Sequence, residues 1–374
     1  MEKLAGENIS IEYKTEQVHP DSLAREMTAF SNTYGGTLYV GVNDDGSVSG
    51  LTLERKWDEW AANIARNNIN PSISPLIEYE SIDNKKILKI TVEKGKHKPY
   101  QTLNDGKYWI RVGSTVRQAT QQELSRLFQM AGLVHFDISP VENSSIKDLS
   151  TVKLSSYFRK SYGIIWEEEE SLSLLKNTSI LNELDNTLCA SVGGLLLFSD
   201  FPERFLPHAV ITVAVINGTT ITDPVVQKKE ITGSLPDQID TAVSFLQLFS
   251  PEPLIVKDKA QREETDSVPI KVLREAVVNA VCHRDYSILN RKIHIFIYKN
   301  RIEIQSPGRI ANTLTLNMIK AGNSAPRNIF LLKLLDNLHY IDGLGRGIPL
   351  IIKEMKDRVI FKEDGELFTV VLYF

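Results

Sequence analysis

The sequence predicts a mixed α/β protein with more than one domain, and three observations lead to this prediction. The chain has 374 residues, which exceeds the usual size of one domain. Its composition, with 42% hydrophobic and 24% charged residues, is that of a globular protein and excludes disordered, collagen-like and coiled-coil chains. Strand and helix patterns alternate over residues 1–134 and again over 199–374. We therefore predict one α/β domain in each range, joined by a linker and helical connector over 135–198.

The first domain begins with a half-buried strand over residues 9–13, where apolar and polar side chains alternate. A helix follows Pro20, and a second helix is predicted around residues 57–64. Thr120 and Glu123 form a capping box ahead of a last helix. The remaining strands are predicted at 37–42, 76–80, 87–92, 98–102 and 107–112.

The connector opens with a polar, proline-containing stretch at residues 135–146, which is typical of a linker. Helix signals follow at 150–161 and 174–197, and the acidic run 167–170 fits a loop or an exposed helix start. A small helical packing unit is favoured over a winged-helix-like DNA reader, because no basic recognition helix is visible. The second domain then has predicted strands at 209–216, 291–298, 301–305 and 367–374 and predicted helices at 237–249 and 272–281.

Cysteine content and hydropathy favour a cytoplasmic protein. Cys189 and Cys282 are too few for a disulfide framework or a four-ligand zinc site, and we expect both to be buried packing residues. No apolar run approaches the roughly 20 residues of a membrane span, and the N-terminal residues lack an apolar signal core. We expect no membrane partner.

The charge distribution is uneven, although the net charge is only -4. Residues 1–84 carry a net charge of -8, whereas residues 85–126 contain 10 basic and 3 acidic residues, a net charge of +7. Tyr100, Tyr108 and Trp109 alternate with these cations. Cations mixed with aromatic side chains are typical of a groove that holds a nucleic-acid backbone and stacks its bases. The alternative is a solvated charged face.

Glu275 and Asn279 are the main chemical candidates in the second domain. They lie four residues apart on an apolar helix, so both side chains leave the same face. Polar groups on a buried helix are costly without partners, which a nucleotide triphosphate with Mg²⁺ provides. The Glu would orient or deprotonate a water molecule, and the Asn would ligate the metal. From spacing alone, a structural hydrogen-bonded pair is at least as good an explanation.

Glycines follow at positions suited to phosphate binding. Gly308 closes a strand, and Gly343, Gly345 and Gly347 precede an apolar helix, where backbone amides can approach phosphate. The stretches REAVVNAVCHRDYS, RIEIQSPGRI, GNSAPRN and DGLGRGI resemble the GHKL ATPase superfamily, in the divergent branch found in bacterial transcriptional regulators and ATP-binding proteins. The resemblance implies an α/β sandwich that binds ATP or another purine nucleotide with Mg²⁺. It makes Glu275 and Asn279 the N-box and Gly343, Gly345 and Gly347 the phosphate lid. Ser306 stands where the family carries its adenine-reading Asp.

An acidic group near the N terminus suggests hydrolytic chemistry. Glu7, Glu12 and Asp44 are candidate ligands of Mg²⁺ or Mn²⁺, and Lys14 is a candidate for neutralising charge in the transition state. Glu7 and Glu12 are an odd number of residues apart, so a bend near residues 6–8 must bring them to one side of the strand. The alternative is a solvated Glu7 and an Asp44-Asp45 pair that only shapes a turn.

The stretches IEYKTE, AFSNTYGGTLYVGVNDDGSVSGL, KPYQTLNDGKYWIRVGSTVRQAT and QQELSRLF resemble the Schlafen/AlbA-like domain over residues 5–130. In Schlafen ribonucleases, two Glu five residues apart and a later Asp form a metal-dependent site that cuts structured RNA. The resemblance assigns these places to Glu7, Glu12 and Asp44, with Asn43 or Asp45 as alternatives to Asp44. The side facing nucleic acid would be lined by His97, Lys98, Arg111 and Arg117.

Together these features predict a nucleotide-regulated, metal-dependent endoribonuclease with stress or antiphage roles, acting on RNA or, less favoured, DNA. The alternatives are an ATP-binding transcriptional regulator that binds nucleic acid without cleaving it, and an ATPase whose first domain mediates assembly. Because an uncontrolled nuclease would damage its host, its activity must be regulated. We therefore also predict a homo-oligomer in which bound nucleotide controls assembly or nucleic-acid processing.

Overall fold

The computed structural model describes residues 6–52, 55–249, 267–310, 314–341 and 344–374. The chain divides into two compact units, residues 1–134 and 135–374. Both contain helices and sheets, so the predicted mixed α/β, multi-domain class is confirmed. In the described part of the chain, no helix is both long enough and apolar enough to cross a bilayer.

The first unit contains eight strands and three helices among its described residues. In chain order these are β1 (Ile11–Lys14), α1 (Pro20–Asn32), β2 (Gly36–Val40), α2 (Trp57–Asn67), β3 (Ile69–Asn70), β4 (Leu76–Ile82), β5 (Lys85–Val92), β6 (Gln101–Thr102), β7 (Trp109–Val112), β8 (Thr115–Gln118) and α3 (Gln121–Met130). The predicted capping box of α3 is confirmed, since the Thr120 and Glu123 side chains each bond the other's backbone N–H.

A four-stranded sheet in the order β1-β2-β5-β4 organises this unit. β1 and β2 are parallel and are connected through α1, while the other pairs are antiparallel. Helices α1 and α2 pack their apolar sides against the sheet, with Leu23, Phe30 and Ile64 buried in the core. The hairpin β7–β8 lies against α1 and brings the second half of the unit close to β1.

The second unit begins with short elements and continues into a large sheet. Its helices and strands are α4 (Thr151–Tyr162), α5 (Glu168–Asn177), β9 (Leu181–Leu184), β10 (Thr187–Ala190), α6 (Val192–Phe198), β11 (Ile211–Ile216), β12 (Val225–Ile231), α7 (Leu235–Phe249), α8 (Ile270–Cys282), β13 (Ile293–Ile297), β14 (Arg301–Pro307), α9 (Leu316–Lys320), α10 (Ile329–Asn337), α11 (Gly347–Met355), β15 (Val359–Asp364) and β16 (Leu367–Tyr373).

The large sheet has six strands in the order β12-β11-β13-β14-β16-β15. Only β11 and β13 are parallel neighbours. Helices α7 and α8 pack together over this sheet, and α11 packs on α8. The edge strand β12 is exposed along six of its seven residues. The position of α8 between the sheet and α11 decides where its polar side chains can act.

The predicted linker, residues 135–146, belongs to the second unit. Asp137 is fully buried, and its Oδ2 accepts a hydrogen bond of 3.0 Å from the backbone N–H of Leu331. The backbone of Val141 is bonded to that of Ala190 at 2.9 Å. These contacts fix the segment to β10 and α10. Cys189 and Cys282 are buried, as expected for packing residues.

Candidate functional site

The helix α8 carries the two polar side chains singled out from the sequence. Its apolar side is buried in the core, whereas Glu275 and Asn279 are half-buried. Asn279 Nδ2 donates a hydrogen bond of 3.0 Å to Glu275 Oε1. The structural pair considered from the spacing is therefore present. Because the amide uses its nitrogen for this bond, its oxygen is the atom left for a ligand.

Gly347, the first residue of α11, lies directly against this pair. A Cβ at position 347 would stand 1.8 Å from Glu275 Oε1 and 2.9 Å from Asn279 Nδ2. No other residue type fits here unless Glu275 moves, so the structure brings three predicted site residues together. Gly345 has φ of +68°, which favours glycine. Gly343 lies outside the described residues.

A cavity of about 140 Å³ opens beside Asn279. Most of its wall is apolar and comes from the sheet and from α8, α9 and α11. Its apolar lining includes Ala280, Ile304, Ile310, Ile319, Ile348, Phe368 and Val370, and its polar lining includes Asn279, His283, Ser306, Arg309, Asn323, Ser324 and Arg327. An apolar slot with a few placed polar groups suits a flat heterocyclic ring.

A wider groove of about 1130 Å³ shares Asn279, Gly345 and Gly347 with this cavity. Its wall contains Lys271, Arg274, Lys333, Arg346 and Lys353, together with three acidic side chains. Lys271 is paired with Glu354 at 2.7 Å. The excess of cations favours an anionic group such as a phosphate chain.

Ser306 near the end of β14 and Gly308 just after this strand line the smaller cavity. Ser306 Oγ donates a hydrogen bond of 2.7 Å to the carbonyl of Ala280. Gly308 has φ of +130°, and a Cβ there would lie 2.3 Å from Arg327 Nη1. Gly308 is thus required both by its backbone conformation and by the guanidinium that crosses it.

Arg327 was not assigned a role from the sequence. The side chain is 8% exposed, lies 3.3 Å from the carboxylate of Asp285 and donates a 2.8 Å hydrogen bond to the carbonyl of Arg309. Arg327 belongs to the stretch GNSAPRN, which was noted in the sequence. Nothing in that stretch indicates that the side chain reaches the end of β14. The neighbouring Arg284 donates hydrogen bonds to four backbone carbonyls and is structural.

The side chains of α8 fit a magnesium ion bound with a nucleotide. Asn279 would supply its amide oxygen, and Glu275 lies 3.0 Å from the same amide, within reach of a metal-bound water. Mg²⁺ supplies charge neutralisation to phosphate oxygens and usually keeps several waters. In such a complex Asn279 would hold the metal, and Glu275 would orient a water molecule or accept a proton from it.

In the first unit, Glu12 is buried and engaged by two cations. Its Oε2 accepts a hydrogen bond of 2.6 Å from Arg111 Nη2, and its Oε1 accepts one from Lys14 Nζ. Arg111 Nη1 also lies 3.3 Å from Glu26 Oε2. Glu12 and Glu26 are 6% and 3% exposed, so the cluster is a buried ion network rather than an open site.

Glu26 is the member of this cluster that sequence reasoning missed. It lies on the side of α1 that also buries Leu23, Met27 and Phe30, and a carboxylate among such residues was the available signal. Burial, and secondly the charge of Glu12, raise the pKa of Glu26 to about 7. The cluster therefore changes its charge near neutral pH.

The expected metal trio of Glu7, Glu12 and Asp44 is not assembled. A turn at Asn8–Ile11 folds Glu7 back, so that its Oε1 accepts a 2.9 Å hydrogen bond from the N–H of Tyr13. Asp44 is exposed in its turn. Among the described residues, no three His, Cys, Asp or Glu side chains are grouped to hold a metal ion. Because Arg111 and Lys14 occupy Glu12, these residues do not fit a metal site.

Two of the four predicted nucleic-acid contacts are corrected by the structure. Lys98 is 1% exposed, and its Nζ donates a 2.9 Å hydrogen bond to the carbonyl of Thr33. Arg111 is 3% exposed and is held by the acidic cluster. Neither side chain lies on the surface, because each compensates buried acceptors. His97 and Arg117 are exposed, as expected.

Two cations next to an aromatic ring, the half-buried Arg25 and the exposed Lys107, occur elsewhere in the first unit. Arg25 and Lys107 stand 5.4 and 5.8 Å from the ring centroid of Trp109, which is half-buried. Arg117 pairs with Glu123 at 2.7 Å, and this hydrogen bond lowers the pKa of Glu123 to about 2. Arg25, Lys107 and Trp109 thus have the chemistry that was expected of Lys98 and Arg111.

Two family models match the chain. Residues 7–120 match the model described as "Schlafen, AlbA_2", and residues 290–372 match the model described as "Putative ATP-dependent DNA helicase recG C-terminal". The matches confirm the two resemblances found in the sequence and support the two-domain architecture. They indicate a nucleic-acid-related protein with an ATPase-like, nucleotide-binding domain. Glu275 and Asn279 precede the second matched range.

Similar solved structures include a crystal structure of the DIP2311 protein from Corynebacterium diphtheriae. It is 20% identical, covers 97% of this chain and 75% of that chain, and has a TM-score of 0.49. Another is the solution NMR structure of the N-terminal domain of a RecG-related protein from Nitrosomonas europaea. It is 26% identical, covers 29% of this chain and 82% of that chain, and has a TM-score of 0.23. The search of curated proteins gave no match.

Proposed function

We propose that the chain is a nucleotide-dependent, nucleic-acid-binding protein. The second unit binds a purine nucleotide with Mg²⁺, and the first unit binds RNA or DNA. The observation that carries the proposal is the contact of Gly347 with Glu275 and Asn279 beside a cavity of ring size. It combines a helix N-terminus, a metal-binding amide and an apolar slot, which are the three parts that a nucleotide triphosphate needs.

The first unit supports binding more than cleavage. Arg111 and Lys14 neutralise Glu12, so the acidic residue that would serve a nuclease is committed to an ion network. The half-buried Arg25 and the exposed Lys107 lie close to the ring of Trp109, which suits backbone contact and base stacking. In this proposal nucleic acid is held on the surface that carries Trp109.

A metal-dependent endoribonuclease remains a second candidate, favoured by one observation. The turn at Asn8–Ile11 brings the carboxylate of Glu7 back to β1, one residue from Glu12. Cleavage would require Arg111 and Lys14 to release Glu12. The predicted homo-oligomer and the roles in stress or antiphage defence are part of this candidate.

One experiment separates the two candidates. The full chain is incubated with total tRNA and Mg²⁺ or Mn²⁺, with and without purine nucleotide, and both retention and fragment length are measured. Nucleotide-dependent retention of intact RNA supports the binding protein. RNA fragments that form with the wild type and are absent with Glu12→Ala support the ribonuclease. If RNA is neither retained nor cut in any condition, both candidates are contradicted. Light scattering on the same samples reports whether nucleotide changes the assembly state.

A further inference from the structure

The smaller cavity of the second unit indicates which kind of nucleobase it takes. Its lining contains two arginines, Arg309 and Arg327, and, in the part of the chain that the structure describes, no carboxylate. A site for adenine needs an acceptor for the 6-amino group. A lining whose charged groups only donate hydrogen bonds favours a base that presents acceptors at the same edge.

Arg327 is the residue best placed to read such an edge. Its Nη2 donates to the carbonyl of Arg309, and its Nη1 is ion-paired with the Asp285 carboxylate at 3.3 Å without forming a hydrogen bond. These contacts use only part of the five N–H donors of the guanidinium, so donors remain for the acceptors of a ligand. The missing side chain of Gly308 leaves the space in which this guanidinium lies.

Ser306 supplies the complementary group. Its hydroxyl proton is donated to the carbonyl of Ala280 at 2.7 Å, so its oxygen is left as an acceptor. A 6-oxopurine offers O6 and N7 as acceptors and N1–H as a donor. Arginine pairs with O6 and N7 through two parallel hydrogen bonds, whereas the amino group of adenine would oppose the guanidinium.

We propose that this cavity binds a 6-oxopurine nucleotide, of the guanosine or inosine type, in preference to an adenine nucleotide, and that Arg327 determines the preference. The inference rests on the proposed nucleotide-binding function and names its substrate class. The apolar walls, including Ile304 and Phe368, enclose the ring, and the cationic groove beyond Asn279 receives the phosphates.

The test is calorimetry of the full chain with Mg²⁺ and three nucleoside triphosphates. Inosine and adenosine triphosphates differ only at the edge formed by C6 and N1. The ratio of their two affinities therefore reports recognition of that edge alone. We expect the inosine nucleotide to bind at least about tenfold more tightly than ATP, with guanosine triphosphate close to it. Equal or tighter binding of ATP overturns the inference and leaves the proposed function intact. Failure of all three nucleotides contradicts the proposed function itself.

Two variants then test the assignment to Arg327. Arg327→Lys keeps the charge beside Asp285 but loses the planar fork, so the ratio should fall towards one while ATP binding persists. Arg301→Lys is the matched control: Arg301 also pairs with a carboxylate, Glu303 at 2.7 Å, but lines neither cavity, so the ratio of affinities should stay unchanged. An unchanged ratio in Arg327→Lys, or an equal loss in Arg301→Lys, would overturn the assignment. Thermal unfolding shows whether each variant is folded. If Arg327→Lys does not fold, the ratio of affinities measured on the wild type still decides the base preference.

Discussion

Arg111 Nη2 donates a hydrogen bond of 2.6 Å to Glu12 Oε2 inside the first unit. The same guanidinium donates to the backbone carbonyls of Asn8 and Ile11, at 2.8 and 3.0 Å. Arg111 therefore ties β7 to the start of β1 and compensates two buried carboxylates at once. Arg111 therefore stabilises the fold of the first unit and does not contact ligands at the surface.

Removing Arg111 should destabilise the first unit strongly. Arg111→Ala leaves Glu12 and Glu26 buried without their main counter-charge, a loss of about 3 kcal/mol or more in the free energy of unfolding. Arg117→Ala removes an exposed pair and is the control, with an expected loss of at most about 1 kcal/mol. Urea unfolding measures both, and similar losses would contradict the buried role of Arg111.

The stability of the first unit should fall as pH rises towards neutrality. Burial raises the pKa of Glu26 to about 7, so the folded chain holds a proton that the unfolded chain has lost above roughly pH 4.5. Between these two values the free energy of unfolding decreases with increasing pH, by about 3 kcal/mol at most. Glu123, whose pKa is lowered to about 2, affects stability only at lower pH.

Glu26→Gln tests this dependence because it removes the titrating group and keeps the shape. Its unfolding free energy should vary less than that of the wild type between pH 5 and 7, as followed by chemical denaturation. The exposed Glu59→Gln is the control and should retain the wild-type profile. Parallel profiles for wild type and Glu26→Gln would assign the dependence to other groups.

A methyl group at position 347 should weaken nucleotide binding. In Gly347→Ala the new Cβ would overlap Glu275 Oε1, so this carboxylate must turn away and lose its hydrogen bond with Asn279. Calorimetry should show at least a tenfold loss of affinity. Gly6→Ala, where nothing lies within 4 Å of the added Cβ, is the control. Unchanged affinity in Gly347→Ala would place the nucleotide elsewhere.

Asn279 should matter most when magnesium is present. Asn279→Ala removes the proposed metal ligand, so nucleotide affinity in Mg²⁺ should fall about tenfold or more. Affinity measured in excess chelator should fall much less, since the proposed contacts to the base remain. An equal loss with and without Mg²⁺ would show that Asn279 acts only through its hydrogen bond to Glu275.

The surface around Trp109 should account for the salt dependence of nucleic-acid binding. Each phosphate contact released by Arg25→Ala and Lys107→Ala should lower the slope of log affinity against log salt by almost one for duplex substrates. Trp109→Ala should weaken single-stranded binding by about 1 to 3 kcal/mol. Lys56→Ala, at the exposed lysine that precedes α2, is the control. An unchanged slope in the double variant would move the binding surface elsewhere.

Local patterns were sufficient to predict most elements of the fold. The spacing in α1 and the Thr120–Glu123 capping box are properties of neighbouring residues, and both appear as predicted. The alternation expected in β1 was wrong, because the strand covers only Ile11–Lys14 and buries both Glu12 and Tyr13. The Glu275/Asn279 pair was also accessible, because both ends of the interaction lie on one helix.

The errors have a common physical cause. Whether Lys98 and Arg111 face solvent depends on acceptors far away in the chain, namely Thr33, Glu12 and Glu26, and no local pattern contains those partners. The same applies to Arg327, whose guanidinium lies over Gly308. Long side chains reach across the fold, so their burial follows from tertiary structure rather than from their charge.

The exposed strand β12 limits how copies of this chain can associate. Lys228 and Lys229 lie near the middle of this edge, and in a two-fold antiparallel pairing centred on Lys228 that residue would face its own copy. Like charges placed opposite each other on neighbouring strands are unfavourable, and edge lysines are a common protection against such pairing. Pairing of this edge with a second copy is therefore unfavourable, so we expect an assembly controlled by nucleotide to use another surface.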